Sequence, residues 1–192
     1  METEQKYQGL TVVCGPMFAG KTTELIKLAK HFSGAGERIQ IFKHSLDNRF
    51  DNDCVVSHDS VFLPAIPVSS AMDATEKIDT EATVFFFDEI QFFDFSIFRL
   101  FGLLLSKGRR IICCGLDMDF KGTPFPVMER LLAMADLVVK KKGKCAVCGK
   151  PSGFSYLNET RPEKGNILIG GADKYSPLCR FCFLSKIKQQ ET

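Results

Sequence analysis

The run Gly15-Pro16-Met17-Phe18-Ala19-Gly20-Lys21-Thr22 fits G-x-x-x-x-G-K-[ST] at every position. Each fixed residue type has a chemical reason. Gly15 and Gly20 permit backbone conformations that turn successive N–H groups toward one anion. A helix opening at Lys21 presents the positive end of its dipole to that anion. Lys21 brings a mobile cation to the β- and γ-phosphates, and the Thr22 hydroxyl completes the shell of a Mg²⁺ ion. This pattern is that of a nucleoside-triphosphate site.

A second group of reactive residues follows an apolar run. Thr83-Val84-Phe85-Phe86-Phe87 leads into Asp88-Glu89. In phosphate-loop enzymes an acid in this place holds Mg²⁺, usually through water. Side chains alternate along an extended chain, so Asp88 and Glu89 are expected to divide the work. Asp88 serves the metal, and Glu89 is placed to take a proton from an attacking water or alcohol. The two strands are expected to be parallel neighbours, which would bring the Asp88 end close to the phosphate loop, and ligands of such sheets sit at these carboxyl ends.

Two further pairs have metal-ligand spacing. Cys145-Ala-Val-Cys148 and Cys179-Arg-Phe-Cys182 are C-x-x-C knuckles, separated by residues 149–178. That interval exceeds the usual ribbon spacing of about 15–20 residues, so a long loop must leave one knuckle and return to the other. Four thiolates around Zn²⁺ close a tetrahedral site with no open position, which makes the metal structural. Redox pairing is the alternative for these cysteines. Cys14, Cys113 and Cys114 lie in apolar runs and read as core residues.

The elements that position these groups alternate. Strands are expected at Gly9–Cys14, Arg38–Phe42, Thr83–Phe87, Arg110–Gly115 and Asp136–Val139, with helices at Lys21–Phe32, Phe95–Ser106 and Val127–Ala135. Residues from His44 to Ala82 read as loops with short strands. Alternation of this kind implies α/β architecture, a parallel sheet covered by helices on both faces. From Lys140 onward Lys, Gly, Pro and Cys dominate and helical periodicity is lost. The expected domains are therefore 1–140, the phosphate-loop unit, and 141–192, a small zinc-binding unit.

Composition narrows the function classes. Among 192 residues, 25 are Lys or Arg and 23 are Asp or Glu, a net charge of +2 that gives no basic stripe for nucleic acid. The longest apolar run, Phe95 to Leu105, is broken by Arg99 and is too short to span a bilayer. The polar start, Met1 to Tyr7, lacks a secretory signal's apolar segment. The expected setting is the cytoplasm, without membrane or nucleic-acid partners.

Taken together, Gly15–Thr23 (GPMFAGKTT), Asp88–Phe93 (DEIQFF), Gly115–Phe125 (GLDMDFKGTPF), Gly170–Tyr175 (GGADKY) and the cysteine pairs resemble the type II, cytosolic human-like thymidine kinases, in order from about Gly9 to Cys182. The resemblance implies transfer of the γ-phosphate of ATP, with Mg²⁺, to the 5′-hydroxyl of thymidine or deoxyuridine. It places ATP on the phosphate loop, on Asp47, Asn48 and Arg49, and on Asp88, Glu89, Ile90 and Gln91. Glu89 matches the general base, Lys21 and Arg49 the groups that neutralise the phosphoryl oxygens, and Gln91 a residue steadying metal waters and the sugar. Phe92, Leu116, Phe120 and Phe125 resemble walls of the nucleoside pocket. Asn166, Ile167, Leu168, Ile169, Gly170 and Tyr175 match a "lasso" that closes over the base, anchored by zinc on Cys145, Cys148, Cys179 and Cys182. It further implies a homotetramer inhibited by dTTP. Three other readings stand beside this one. They are an ATPase whose zinc ribbon meets nucleic acid, a non-catalytic nucleotide sensor, and a kinase for deoxycytidine.

Overall fold

The computed structural model describes residues 7–47, 54–56, 62–158 and 174–190. The chain opens with β1 (Leu10–Cys14), α1 (Lys21–Gly34) and β2 (Ile39–His44). Three short strands follow, β3 (Cys54–Val56), β4 (Phe62–Pro64) and β5 (Ile66–Val68), then α2 (Ala71–Glu76). Next come β6 (Val84–Asp88), a single 3₁₀ turn at Ile90–Phe92, α3 (Ile97–Ser106), β7 (Arg110–Gly115), α4 (Pro126–Met134) and β8 (Leu137–Lys140). The C-terminal part holds β9 (Gly143–Lys144), β10 (Pro151–Ser152), β11 (Phe154–Leu157), β12 (Tyr175–Leu178) and α5 (Arg180–Gln190).

Six strands form one parallel sheet in the order β5-β2-β6-β7-β1-β8. Strand alternation sorts its side chains into two cores. Val13, Ile41, Val84, Phe86, Ile112 and Cys114 face α1, where Leu25, Ile26, Leu28, Ala29 and Phe32 meet them. Val12, Phe42, Phe85, Phe87, Ile111 and Cys113 face the other way, against α2, α3 and α4. Strands buried on both faces explain the uninterrupted apolar runs, Phe85-Phe86-Phe87 above all. The β1-to-β2 connection runs across the sheet in one direction with its helix on one face. The later crossovers run in the opposite direction with helices on the other face, as connections of a single hand require.

Elements expected from sequence appear within two residues of their bounds in this sheet. Two expectations change. First, β1 and β6 are not neighbours, because β7 lies between them. At a strand spacing of about 4.8 Å, the phosphate loop and Asp88 stand roughly 10 Å apart across the sheet, room for a phosphate group and a cation. Second, the C-terminal part is not free of helix. In α5, Cys182, Phe183 and Ile187 pack inward while Phe181 and Leu184 stay exposed, so the apolar pattern is scattered and reads poorly in the sequence. Tertiary contact holds the helix: Phe183 stacks on Phe154 at 4.5 Å between ring centres.

Candidate active site

The loop after β1 bends as its glycines allow. Gly15 (φ 144°) and Gly20 (φ 74°) take positive φ, and so does Phe18 (φ 60°), which has a side chain to strain there. At Gly15 a Cβ would fall 2.4 Å from the Lys141 carbonyl, so no larger residue fits. Lys21 Nζ donates to the Pro16 carbonyl at 2.9 Å, which lays the ammonium across the loop. Thr22 sits in the first turn of α1, whose N-cap, Gly20, offers no side-chain acceptor and leaves the terminal N–H groups to an anion. Outside this loop lies a cleft of about 420 Å³ lined by Phe18, Ala19, Gly20, Thr23, Glu24, Lys27, Lys141 and Lys142. Two lysines of the run that begins at the end of β8 are paired. Lys140 meets Asp117 and Lys141 meets Glu24, both at 2.9 Å.

Asp88 closes β6 and is buried. Burial, then the adjacent Glu89 carboxylate, push its carboxyl up to about 7, against a hydrogen bond from the Cys114 thiol. That thiol donates to Asp88 Oδ1 at 2.7 Å from the neighbouring strand β7. Cys114 is thus a core residue, as expected, that also orients an acid. Nothing in its sequence position signals this, because the contact depends on strand order. Among the described residues, Glu89 is the other side-chain-bearing residue with positive φ (φ 55°). The strand has ended, so strict alternation no longer governs where its carboxylate points. Strained backbone of this kind costs on the order of 1–3 kcal/mol and collects at functional sites. Gln91, in the 3₁₀ turn, donates Nε2 to Glu89 Oε2 at 2.5 Å, and its Oε1 accepts from Leu116 N–H at 3.0 Å. One amide therefore ties the candidate base to the end of β7. Gly115 makes this possible, since a Cβ there would meet Gln91 Oε1 at 2.4 Å. Ile90 is a buried core residue beneath the turn.

Lys43 and His44 are additions that the sequence reading missed. Lys43 stands in register with Asp88 on β2, is 2 % exposed, and pairs with buried Asp47 at 3.5 Å. A lysine at the next-to-last position of a buried parallel strand, before its terminal His44, was the available signal. Asn48 and Arg49 lie outside the described residues. His44 is buried, with its ring against those of Phe92 (5.9 Å) and Phe93 (4.8 Å) and its Nδ1 accepting from Leu46 N–H at 3.2 Å. Burial lowers its pKa below the ordinary imidazole value, outweighing the opposite pull of Glu89 and Asp94. His44 is thus neutral when folded and takes a proton near 6.5 when unfolded. Its stabilising contribution is whole above that pH and is lost as pH falls toward the folded value. Urea midpoints measured from pH 7.5 to 5.5 should fall less steeply in His44→Asn, which keeps an acceptor for Leu46 N–H without titrating. Parallel slopes for the two proteins would remove His44 from this role.

The expected nucleoside-pocket residues divide. Leu116, Phe120 and Tyr175 come together with Met17, Phe18 and Leu157 in one small cluster beside the phosphate loop. Phe92 is half-buried against His44, and Phe125 packs against the main core at the start of α4. Asn166, Ile167, Leu168, Ile169 and Gly170 lie outside the described residues.

The four cysteines converge. Cys145 and Cys148 belong to the β9–β10 turn, and Cys179 and Cys182 open α5. Their sulfurs all lie within 4.8 Å of one another, with Cys148 and Cys179 at 3.6 Å. Tetrahedral Zn–S bonds of about 2.3 Å demand S···S separations near 3.8 Å. Burial raises Cys145, but backbone N–H groups of Cys179, Cys148 and Val147 win and bring it down to about 6. Cys182 is pushed up by burial and by the three other sulfurs. Four thiols so close ionise together only around a cation, and this all-sulfur donor set suits structural zinc. A small core of Phe154, Tyr156, Leu178 and Phe183 packs beside them.

A parallel sheet, a phosphate loop between its first strand and helix, and an acidic pair across the intervening strand define a P-loop α/β phosphotransferase fold. The chain matches the thymidine kinase family over residues 8–183, nearly its whole length, and it belongs to that family. It is therefore a kinase. No helix among the described residues is long and apolar enough to cross a membrane.

Proposed function

We propose that the protein transfers the γ-phosphate of ATP to the 5′-hydroxyl of thymidine, and of deoxyuridine, giving the nucleoside monophosphate for DNA synthesis. The observation that carries this reading is the convergence of Lys21, Cys114-bound Asp88 and Gln91-held Glu89 at one end of the sheet, in a chain of this family. Loop N–H groups and Lys21 hold the donor phosphates, and Arg49 neutralises charge on the transferring group. Thr22 and Asp88 hold Mg²⁺, which when bound screens the phosphate oxygens. Glu89, fixed by Gln91, orients the sugar hydroxyl in line and takes its proton. Leu116, Phe120 and Tyr175 form one wall for the nucleoside, while residues 166–170 supply backbone partners for the base. On this reading residues 1–140 do the chemistry, and residues 141–192, anchored by zinc, close over the substrate and exclude water. The resemblance in the motifs extends the proposal to a cytoplasmic homotetramer inhibited by dTTP.

The test is product formation from Mg-ATP and each common nucleoside in turn. Conversion of thymidine and deoxyuridine, with deoxycytidine and purine nucleosides left unreacted, supports the assignment. ATP hydrolysis without any nucleoside phosphorylated would overturn it and favour an ATPase.

A further inference from the structure

The phosphate loop is held from outside by the cysteine-bearing part of the chain. Met17 N–H, third in the loop, donates to Ser155 Oγ at 2.9 Å. Both residues are buried, Met17 at 7 % and Ser155 at 4 % exposure. Two more contacts hold the end of β1 and the loop that follows it. Lys141 N–H donates to the Cys14 carbonyl at 2.7 Å, and Gly143 packs so closely that a Cβ there would lie 3.3 Å from the Phe18 carbonyl. Ser155 is fixed in turn by both cysteine pairs. Its strand β11 pairs with β12, Ser155 opposite Pro177, and β12 runs directly into Cys179. The Pro177 carbonyl accepts from Ala146 N–H at 2.9 Å, inside the first knuckle. On either side of Ser155, Phe154 and Tyr156 pack on Phe183 of α5.

We propose that Ser155 is a positioning residue for the phosphate donor, holding the Met17 peptide so that the N–H groups after it face the phosphates. The proposal rests on the reading of Gly15–Thr22 as the ATP site. Its physical basis is twofold. A buried N–H without an acceptor is costly, so loss of the Ser155 hydroxyl leaves the loop seeking another conformation. Phe18, the next residue, already sits at positive φ, a state that persists only when its surroundings impose it. The cysteine-bearing part thus acts as a brace for the donor site.

The experiment compares full-length wild type with Ser155→Ala, Ser155→Val and Ser155→Thr. It measures ADP and thymidine affinity by calorimetry in Mg²⁺, zinc content per chain, and KM for ATP against kcat. In the Ala and Val variants ADP affinity should fall about tenfold and KM for ATP rise in step, with thymidine affinity and zinc content at wild-type values. Ser155→Thr, which keeps the hydroxyl and has the shape of Val, should restore ADP binding. If Val binds ADP as Thr does, the hydroxyl is irrelevant and the proposal fails. If Ala and Val lose ADP, thymidine and zinc together, Ser155 is only a packing residue and the proposal fails. Wild type that binds no ADP removes the phosphate-loop reading itself, and the Ser155 role with it.

Discussion

Replacing Glu89 with Gln should leave nucleotide binding intact and lower kcat by about 10²- to 10⁴-fold, the range associated with a positioned general base. The substitution isolates proton transfer because the surroundings tolerate it. Gln91 presents an amide N–H to Glu89 Oε2, and a glutamine at 89 can offer its carbonyl oxygen to the same donor. The left-handed backbone at 89, φ 55°, is strained for Glu and Gln alike, so the turn is not released. Only basicity is removed. Turnover is measured with thymidine and saturating Mg-ATP, and ADP affinity is measured beside it. Turnover within a few-fold of wild type would take Glu89 out of the mechanism. Loss of ADP binding in step with kcat would make its role one of holding the nucleotide.

The second large effect concerns the four cysteines. Purified protein should carry one zinc per chain, and Cys182→Ser should lose it and fall in Tm by about 10 °C or more. Structural zinc contributes about 10–16 kcal/mol of apparent folding energy in small fingers, and each kcal/mol moves Tm by about 2–4 °C in a chain of this size. Cys182 is a severe test because it is buried, 8 % exposed, among three sulfurs that repel one another when ionised. The loss should concentrate in β9–β12 and α5, whose own core is small. Elemental analysis, thermal melts and protease digestion report the three consequences. A folded, active wild-type sample without zinc would overturn the structural-metal reading.

Much of the sheet is legible from the chain because its strands obey one local rule. The central strands β1, β6 and β7 are buried on both faces, so their apolar runs are uninterrupted, and a helix of clear periodicity comes after each. The phosphate loop is legible for a different reason. Its conformation needs Gly at fixed places and its chemistry needs Lys and Thr, so the spacing survives as a signature. The cysteine pairs are legible because a tetrahedral metal needs two ligands from each tight turn. By contrast α5 is hidden, since two of its five apolar residues face solvent and its order comes from packing of Phe183 on Phe154 and of Cys182 in the same cluster.

What the sequence determined by itself is therefore the inventory: an α/β chain with a phosphate loop, an acidic pair, and four thiols suited to zinc. Tertiary structure alone decided the partnerships. Strand order put β7 between the loop and Asp88 and so gave Asp88 a thiol donor from Cys114. The end of β6 turned Glu89 left-handed and handed it to Gln91. The fold-back of the cysteine unit set Ser155, 138 residues away in sequence, on the Met17 amide. Local spacing encodes which groups a short segment can offer. Hydrogen bonds between distant segments depend on register and packing, which no local pattern records, because they are fixed only when the whole core closes.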